Sequence, residues 1–203
     1  DSSNNYICCA FLKDGECSLC SADISTGDAA VSVKAGKELE SGIINELSRY
    51  RPSEIIFNSE FLKLEAVTEF IKLKLGCSYS VREDGCFDAE KKRDVVFGQF
   101  SVSSFDELFL EENDIRTASV CGLFDYFYET QRSLTGRFTE IKLVPDNAYM
   151  GLDIAARRNL ELSETLRNKE KRGSLLWVLD STRTSMGKRL LRSYIEQPLL
   201  SPA

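Results

Sequence analysis

The 203-residue sequence predicts an α/β fold, a mixed sheet covered by helices, followed by an all-α segment that is only part of a domain. Three observations predict it. The first thirty-odd residues hold three β-type runs joined by tight turns. The next hundred alternate helical and strand patterns. After residue 132 strand alternation stops. A chain of this length can bury one sizeable core, or a domain of roughly 100–150 residues with an appendage.

Tyr6–Leu12 is the first strand and Asp14-Gly15 a hairpin turn. Cys17–Ile24 follows, and Ser25-Thr26-Gly27-Asp28 turns into Ala29–Val33, giving an antiparallel meander. Leu39, Ile43, Leu47 and Tyr50 fall at helical spacing, and Arg51-Pro52 ends that helix. Glu54–Phe57 is a short strand. Asn58-Ser59 is placed to cap the next helix, in which Leu64, Val67, Ile71 and Lys74/Leu75 recur until Gly76 stops it. Cys77–Val81 reads as a strand, residues 88–98 as a short helix, and Phe105–Leu110 as a short element. A longer helix spans Asn113 to Gln131, with Val120, Leu123/Phe124 and Phe127/Tyr128 on one face. The order β-β-β-α-β-α-β-α implies a mixed sheet with helical cover, and it is also the order of the ribonuclease H-like fold. Ser133–Pro145 reads as an irregular, partly extended connection. The domain division is therefore 1–132, including the linking helix 113–131, and 133–203.

Charge is unevenly spread. Residues 1–150 hold 16 basic against 26 acidic side chains, a net of −10, whereas residues 151–203 hold 10 against 6, a net of +4. An acidic first part is a poor match for phosphate, which argues against an independent nucleic-acid-binding module. No apolar run approaches the ~18 residues of a membrane span. The start, DSSNNY, does not read as a signal peptide, and none is expected. Seven cysteines, an odd number, are expected to be reduced thiols in a cytoplasmic protein.

No catalytic, cofactor-binding or metal-binding residue is assigned. Cys17-x-x-Cys20 beside Cys8 and Cys9 suggests zinc, but a structural site needs four converging ligands, the chain has no histidine, and an odd offset within one strand points two side chains to opposite faces. The ribonuclease H-like order raises metal-dependent phosphodiester cleavage, which needs carboxylates converging on Mg²⁺. The first strand has no acid, the fourth has only Glu54 at its leading end, and Asp23 and Asp28 flank a turn. A degenerate nuclease is the alternative reading. Gly187-Lys188 lacks the glycine-rich loop and following hydroxyl of a nucleotide site. The basic groups Arg157-Arg158, Lys169 to Arg172, and Lys188, Arg189 and Arg192 read as solvated faces or as phosphate neighbours within a larger clamp.

The segment from Leu152 to Leu200 carries the most specific signal. Leu152-Asp153, Arg158-Asn159-Leu160-Glu161-Leu162, Ser174 to Asp180, and Met186-Gly187 through Leu190-Leu191 to Pro198-Leu199 together resemble the start of the core (lever) region of the MutS family of bacterial DNA mismatch-repair proteins. The first 130 residues then resemble that family's connector domain, and Ala118 to Gln131 its linking helix. The resemblance implies a piece of a longer protein that begins at the connector and ends inside the core. It implies no enzyme activity in this piece. In the full-length protein it implies a DNA-dependent ATPase using ATP and Mg, recognition of mismatched double-stranded DNA by a homodimer, and recruitment of MutL. The mismatch-reading Phe-x-Glu motif is expected in a preceding domain and not in this chain. The segment's own role is expected to be coupling of ATPase state to clamp conformation, with a docking surface for MutL at residues the sequence does not identify. Two apolar faces, Leu175, Leu176, Val178 and Leu179 in a buried-looking helix and Met186, Leu190, Leu191, Tyr194 and Ile195 in the next, are expected to need partners.

Overall fold

A computed structural model describes residues 5–130, 138–145, 150, 152, 154–196 and 198–200. Its centre is a six-stranded mixed sheet of β1 (Tyr6–Lys13), β2 (Glu16–Asp23), β3 (Asp28–Ala35), β4 (Glu54–Asn58), β5 (Ser78–Arg82) and β6 (Lys142–Leu143), in the order β5-β4-β1-β2-β3-β6. The meander is antiparallel, and β4, β5 and β6 join it in parallel. At the first turn Asp14 and Gly15 both have positive φ (51° and 81°), the backbone that a two-residue Asp-Gly hairpin requires.

Strand alternation sorts the side chains into two cores. Ile7, Cys9, Cys20, Ala22 and Val31 point to one face, under α3 (Ala89–Phe100) and α4 (Ile115–Thr130). Cys8, Ala10, Leu12, Cys17 and Leu19 point to the other, under α1 (Leu39–Tyr50) and α2 (Glu65–Phe70), which continues as a π-helical turn over Ile71–Leu75. Both predicted stops hold: Arg51 closes α1 and Gly76 closes the π turn, each in the left-handed region.

Three local expectations change. Asn58 does not cap a helix with its side chain. Its amide clamps the end of β1, accepting from Leu12 N–H at 3.0 Å and donating to the Leu12 carbonyl at 2.8 Å, and a 3-10 turn over Ser59–Lys63 precedes α2. Tyr128 is exposed while Phe124 and Phe127 are buried, because one residue is about 100° of helix rotation. The partly extended connection contains a sheet strand: β6 lies parallel to β3, Val144 N–H donates to the Val31 carbonyl at 2.8 Å, and Phe138 and Ile141 enter the α3/α4 core. Residues 133–137 of that connection lie outside the described residues.

Beyond the sheet, α5 (Ile154–Asn159), α6 (Leu175–Leu179) and α7 (Ser185–Glu196) are short. Ser174 caps α6 by accepting from Trp177 N–H at 3.2 Å. The buried-looking helix is not buried: only Leu176 is covered, and Leu175, Trp177, Val178 and Leu179 face solvent. Among the described residues no helix is long and apolar enough to cross a membrane.

Candidate functional site

Every acid considered for nuclease chemistry has a structural occupation. Glu54 accepts from Tyr126 Oη at 2.7 Å, tying β4 to α4. Asp23 is buried and accepts from Ser25 N–H at 2.8 Å, which closes the second turn. Asp28 pairs with Lys142 at 3.3 Å across β3 and β6. No group of three or more metal-ligating side chains converges among the described residues.

The four clustered cysteines divide between the two faces as strand parity requires, Cys9 and Cys20 under α4, Cys8 and Cys17 under α1 and α2. Burial pushes the Cys8 thiol up to about 12 and raises those of Cys9, Cys17 and Cys20 well above the ordinary range, so they stay protonated. Cys8 also shares a 2.9 Å contact with Ser21 Oγ. These are packing thiols.

Gly187-Lys188 lies in the first turn of α7, where Gly187 N–H and Lys188 N–H are taken by Thr184 Oγ1 and the Thr184 carbonyl, both at 3.0 Å. The backbone donors a phosphate would need are thus already used. The residues here do not fit ATP or Mg.

What the geometry does assemble is a set of ties between the sheet and the C-terminal helices. α4 is buried along most of its length; Ser119 Oγ donates to the Arg116 carbonyl at 2.9 Å and accepts from Ser18 Oγ at 2.7 Å. Asp125, buried on the same helix, accepts from Lys92 at 2.8 Å and faces Arg82 at 3.6 Å, and Arg82 reaches on to Glu129 at 2.7 Å. The Asp125 hydrogen bond holds the Lys92 ammonium above its usual pKa against the desolvation that opposes it. From the tail, Arg157 is buried and donates to the Ser48 carbonyl of α1 at 2.7 Å, and Arg189 of α7 reaches Ser25 at 3.0 Å. Met150 N–H donates to the Pro198 carbonyl at 2.9 Å. Between α7 and the sheet lies an open cleft of about 540 Å³, lined by Tyr6, Asp23, Lys142, Met186, Leu190 and Tyr194 among others.

The basic groups separate accordingly. Arg157, Arg189 and Arg192 make structural bonds, the last with Glu196 at 2.8 Å, and Lys171 pairs with Asp180. Arg158, Lys169, Arg172 and Lys188 are exposed. Sequence reasoning missed the buried role of Arg157, because an arginine next to an arginine looks like a charged surface; its one cue was the apolar Ile154-Ala155-Ala156 just before it.

The expectation about Phe-x-Glu needs correction. Four such triplets occur, starting at Phe105, Phe109, Phe127 and Phe138. Phe105, Phe127 and Phe138 are core residues. Phe109 is 80% exposed, but it sits among Asp106, Glu107, Glu111 and Glu112, which oppose a phosphate backbone. None is placed to read a base.

The fold and its ties define a helix-covered mixed sheet pinned to a helical extension. A family model described as MutS domain II matches residues 5–142, and one described as MutS domain III matches residues 155–203. The chain is 39% identical over 200 residues to the DNA mismatch repair protein MutS of Lachnoclostridium phytofermentans and 36% identical over 198 residues to that of Ruminiclostridium cellulolyticum. Each match takes in 98% of this chain, and 21% and 22% of the respective relative, so the chain spans about a fifth of the curated relatives it matches. It belongs to the MutS family. The two matched domains are non-catalytic. A Thermus thermophilus RuvC structure is similar at a TM-score of 0.43 with 11% identity, covering 64% of this chain and 98% of that one.

Proposed function

We propose that this chain is the coupling and docking segment of a protein that recognises mismatched DNA. Residues 1–132, with the stretch through β6 that returns to the sheet, form a ribonuclease H-like connector without nuclease chemistry, and the helices after it form the first part of a helical core. In the full-length protein the segment relays ATPase state to the grip of a homodimeric clamp on mismatched double-stranded DNA, in the cytoplasm, and it offers a surface to MutL. ATP and Mg belong to another part of that protein.

The observation that carries this reading is the continuity of the ties. α4 runs buried through the core, the following stretch returns to the sheet as β6, and α5 is pinned to α1 by the buried Arg157. A displacement of the helical tail is therefore passed to the sheet through bonded groups. Coupling also requires an element with two arrangements that both ends bias, and the open cleft beside α7 gives that helix room to shift.

Titrating the chain against G·T and fully paired duplexes at moderate salt, with ATP hydrolysis and MutL binding measured in parallel, tests the reading. The expected result is no hydrolysis, no preference for the mismatch, and binding to MutL. Selective nanomolar binding to the G·T duplex overturns it.

A further inference from the structure

One edge of the sheet is open. Among the described residues β5 is the outermost strand on that side and pairs only with β4. Ser78 N–H donates to the Ser53 carbonyl at 3.2 Å, so Ser78, Ser80 and Arg82 turn their backbone groups inward. Alternation then turns the N–H and C=O groups of Tyr79 and Val81 outward.

The side chains add a second feature. Tyr79 lies on the α1/α2 face, its ring stacked 5.9 Å from Phe57. Val81 shares that face because it registers with Phe57 as Tyr79 registers with Ile55. With Leu62 they make an apolar strip whose members are 46%, 43% and 46% exposed for Leu62, Tyr79 and Val81. Protein sheet edges are commonly guarded by proline, lysine or a bulge; β5 has no proline or lysine. Its one charged side chain, Arg82, is drawn to Asp125 and Glu129 instead. The strip is charged at its ends: the Lys72 ammonium lies 5.7 Å from the Tyr79 ring, and Glu83 and Asp84 are exposed just beyond β5.

We propose that the β5 edge accepts an extended segment of a protein partner as a seventh strand. The segment runs antiparallel to β5, the more stable pairing per residue. It places apolar side chains at alternate positions over Leu62, Tyr79 and Val81. A Lys or Arg near its start meets Glu83 and Asp84, and a carboxylate near its end meets Lys72. Backbone bonds supply affinity, and the strip and charged ends supply selection. The proposal rests on the docking reading above only for the identity of the partner.

The test uses two probes, purified MutL and a fluorescein-labelled peptide Lys-Ser-Val-Thr-Val-Thr-Asp, with three variants. Val81→Pro removes an outward N–H while leaving the inward bonds of Ser80 and Arg82, a position where an edge strand tolerates proline. Leu62→Asp spoils the strip without touching the strand, and Val81→Thr keeps the N–H. We expect Val81→Pro and Leu62→Asp to weaken both probes about tenfold or more, and Val81→Thr to stay within about threefold. If Val81→Pro fails to melt cooperatively, Leu62→Asp decides. Peptide that does not bind the unaltered chain at about 1 mM, or binds all variants alike, overturns the proposal. MutL that ignores the chain while the peptide behaves as expected overturns the docking reading and leaves the strand-accepting edge standing. MutL that binds every variant equally overturns the edge as its site.

Discussion

Gly122 lies midway along α4, at the point where that helix crosses β1. A β-carbon added there would sit 2.6 Å from Phe87 Cε1 and 2.9 Å from Cys9 Sγ, well inside the roughly 3.5–4.0 Å of a normal contact. Neither neighbour is free to leave: Cys9 is a strand residue with no exposure, and Phe87 is 3% exposed with its ring packed 4.9 Å from that of Phe11. In an open helix, Gly→Ala stabilises by about 1 kcal/mol. Overpacking a core costs about 1–3 kcal/mol, and displacing two buried neighbours puts Gly122→Ala in the upper part of that range. The net loss is then about 1–2 kcal/mol. At about 2–4 °C per kcal/mol for a chain of this size, the melting temperature falls by about 2–8 °C. Gly98 in α3 supplies the opposite sign, since a β-carbon there meets nothing within 4 Å. Gly98→Ala should raise the midpoint by about 2–4 °C through helix propensity alone. Thermal and urea unfolding followed by circular dichroism would measure both, and adding Cys9→Ala to Gly122→Ala should recover part of the loss. A Gly122→Ala chain as stable as the unaltered one would refute the close approach of α4 to β1.

Three other perturbations have defined outcomes. Ser119→Ala leaves the buried Ser18 hydroxyl without its 2.7 Å partner and should cost about 1–3 kcal/mol in urea unfolding, with Ser18→Ala plus Ser119→Ala costing less than the two singles combined. A thiol reagent at pH 8 should modify the half-buried Cys77 and Cys86 in the native chain and reach Cys8, Cys9, Cys17, Cys20 and Cys121 only on unfolding; prompt labelling of Cys8, whose thiol burial holds at about 12, contradicts the packing. Hydrogen bonds from Lys171 and then Thr182 lower Asp180 to about 2. A depressed folded value means its contribution is present above the unfolded value and is lost as pH falls through about 2, so its carboxyl resonance should titrate near 2 and move up in Lys171→Met.

Much of the sheet was legible because its signals are local. The Asp14-Gly15 turn, the stops at Arg51 and Gly76, and the opposite-face placement of Cys17 and Cys20 follow from backbone sterics and a period of two. What the sequence hid was long-range or one residue fine. β6 is two residues long and exists only because β3 offers it a free edge. Asn58 looked like a cap because its side chain suits one, yet it found a better pair of partners at Leu12, 46 residues away. Arg157 and Arg158 are indistinguishable as letters, and their roles divide only once α1 presents the Ser48 carbonyl. The open edge of β5 had no local signature either, since Ser-Tyr-Ser-Val reads the same on an inner strand.

The helical tail is governed by an imbalance between polar and apolar terms. Among the hydrogen bonds that hold it to the first domain are those from Arg157 to Ser48 of α1 and from Arg189 to Ser25 of the second turn, each worth about 1.5–3 kcal/mol as a bond from a charged donor. Against them stand Trp177, Val178, Leu179, Met186, Leu190 and Tyr194, all about half exposed or more, and burying each such side chain is worth up to about 1.5–3 kcal/mol. The apolar surface still open on α6 and α7 therefore outweighs these two bonds. Whatever packs on that surface decides where the helices lie, and the arginine bonds fix the register once they are there. That ordering of strengths is what the proposed relay needs. A tail held to the sheet more strongly than to its apolar partners could not follow them, and one with no buried arginine would move without carrying the sheet along.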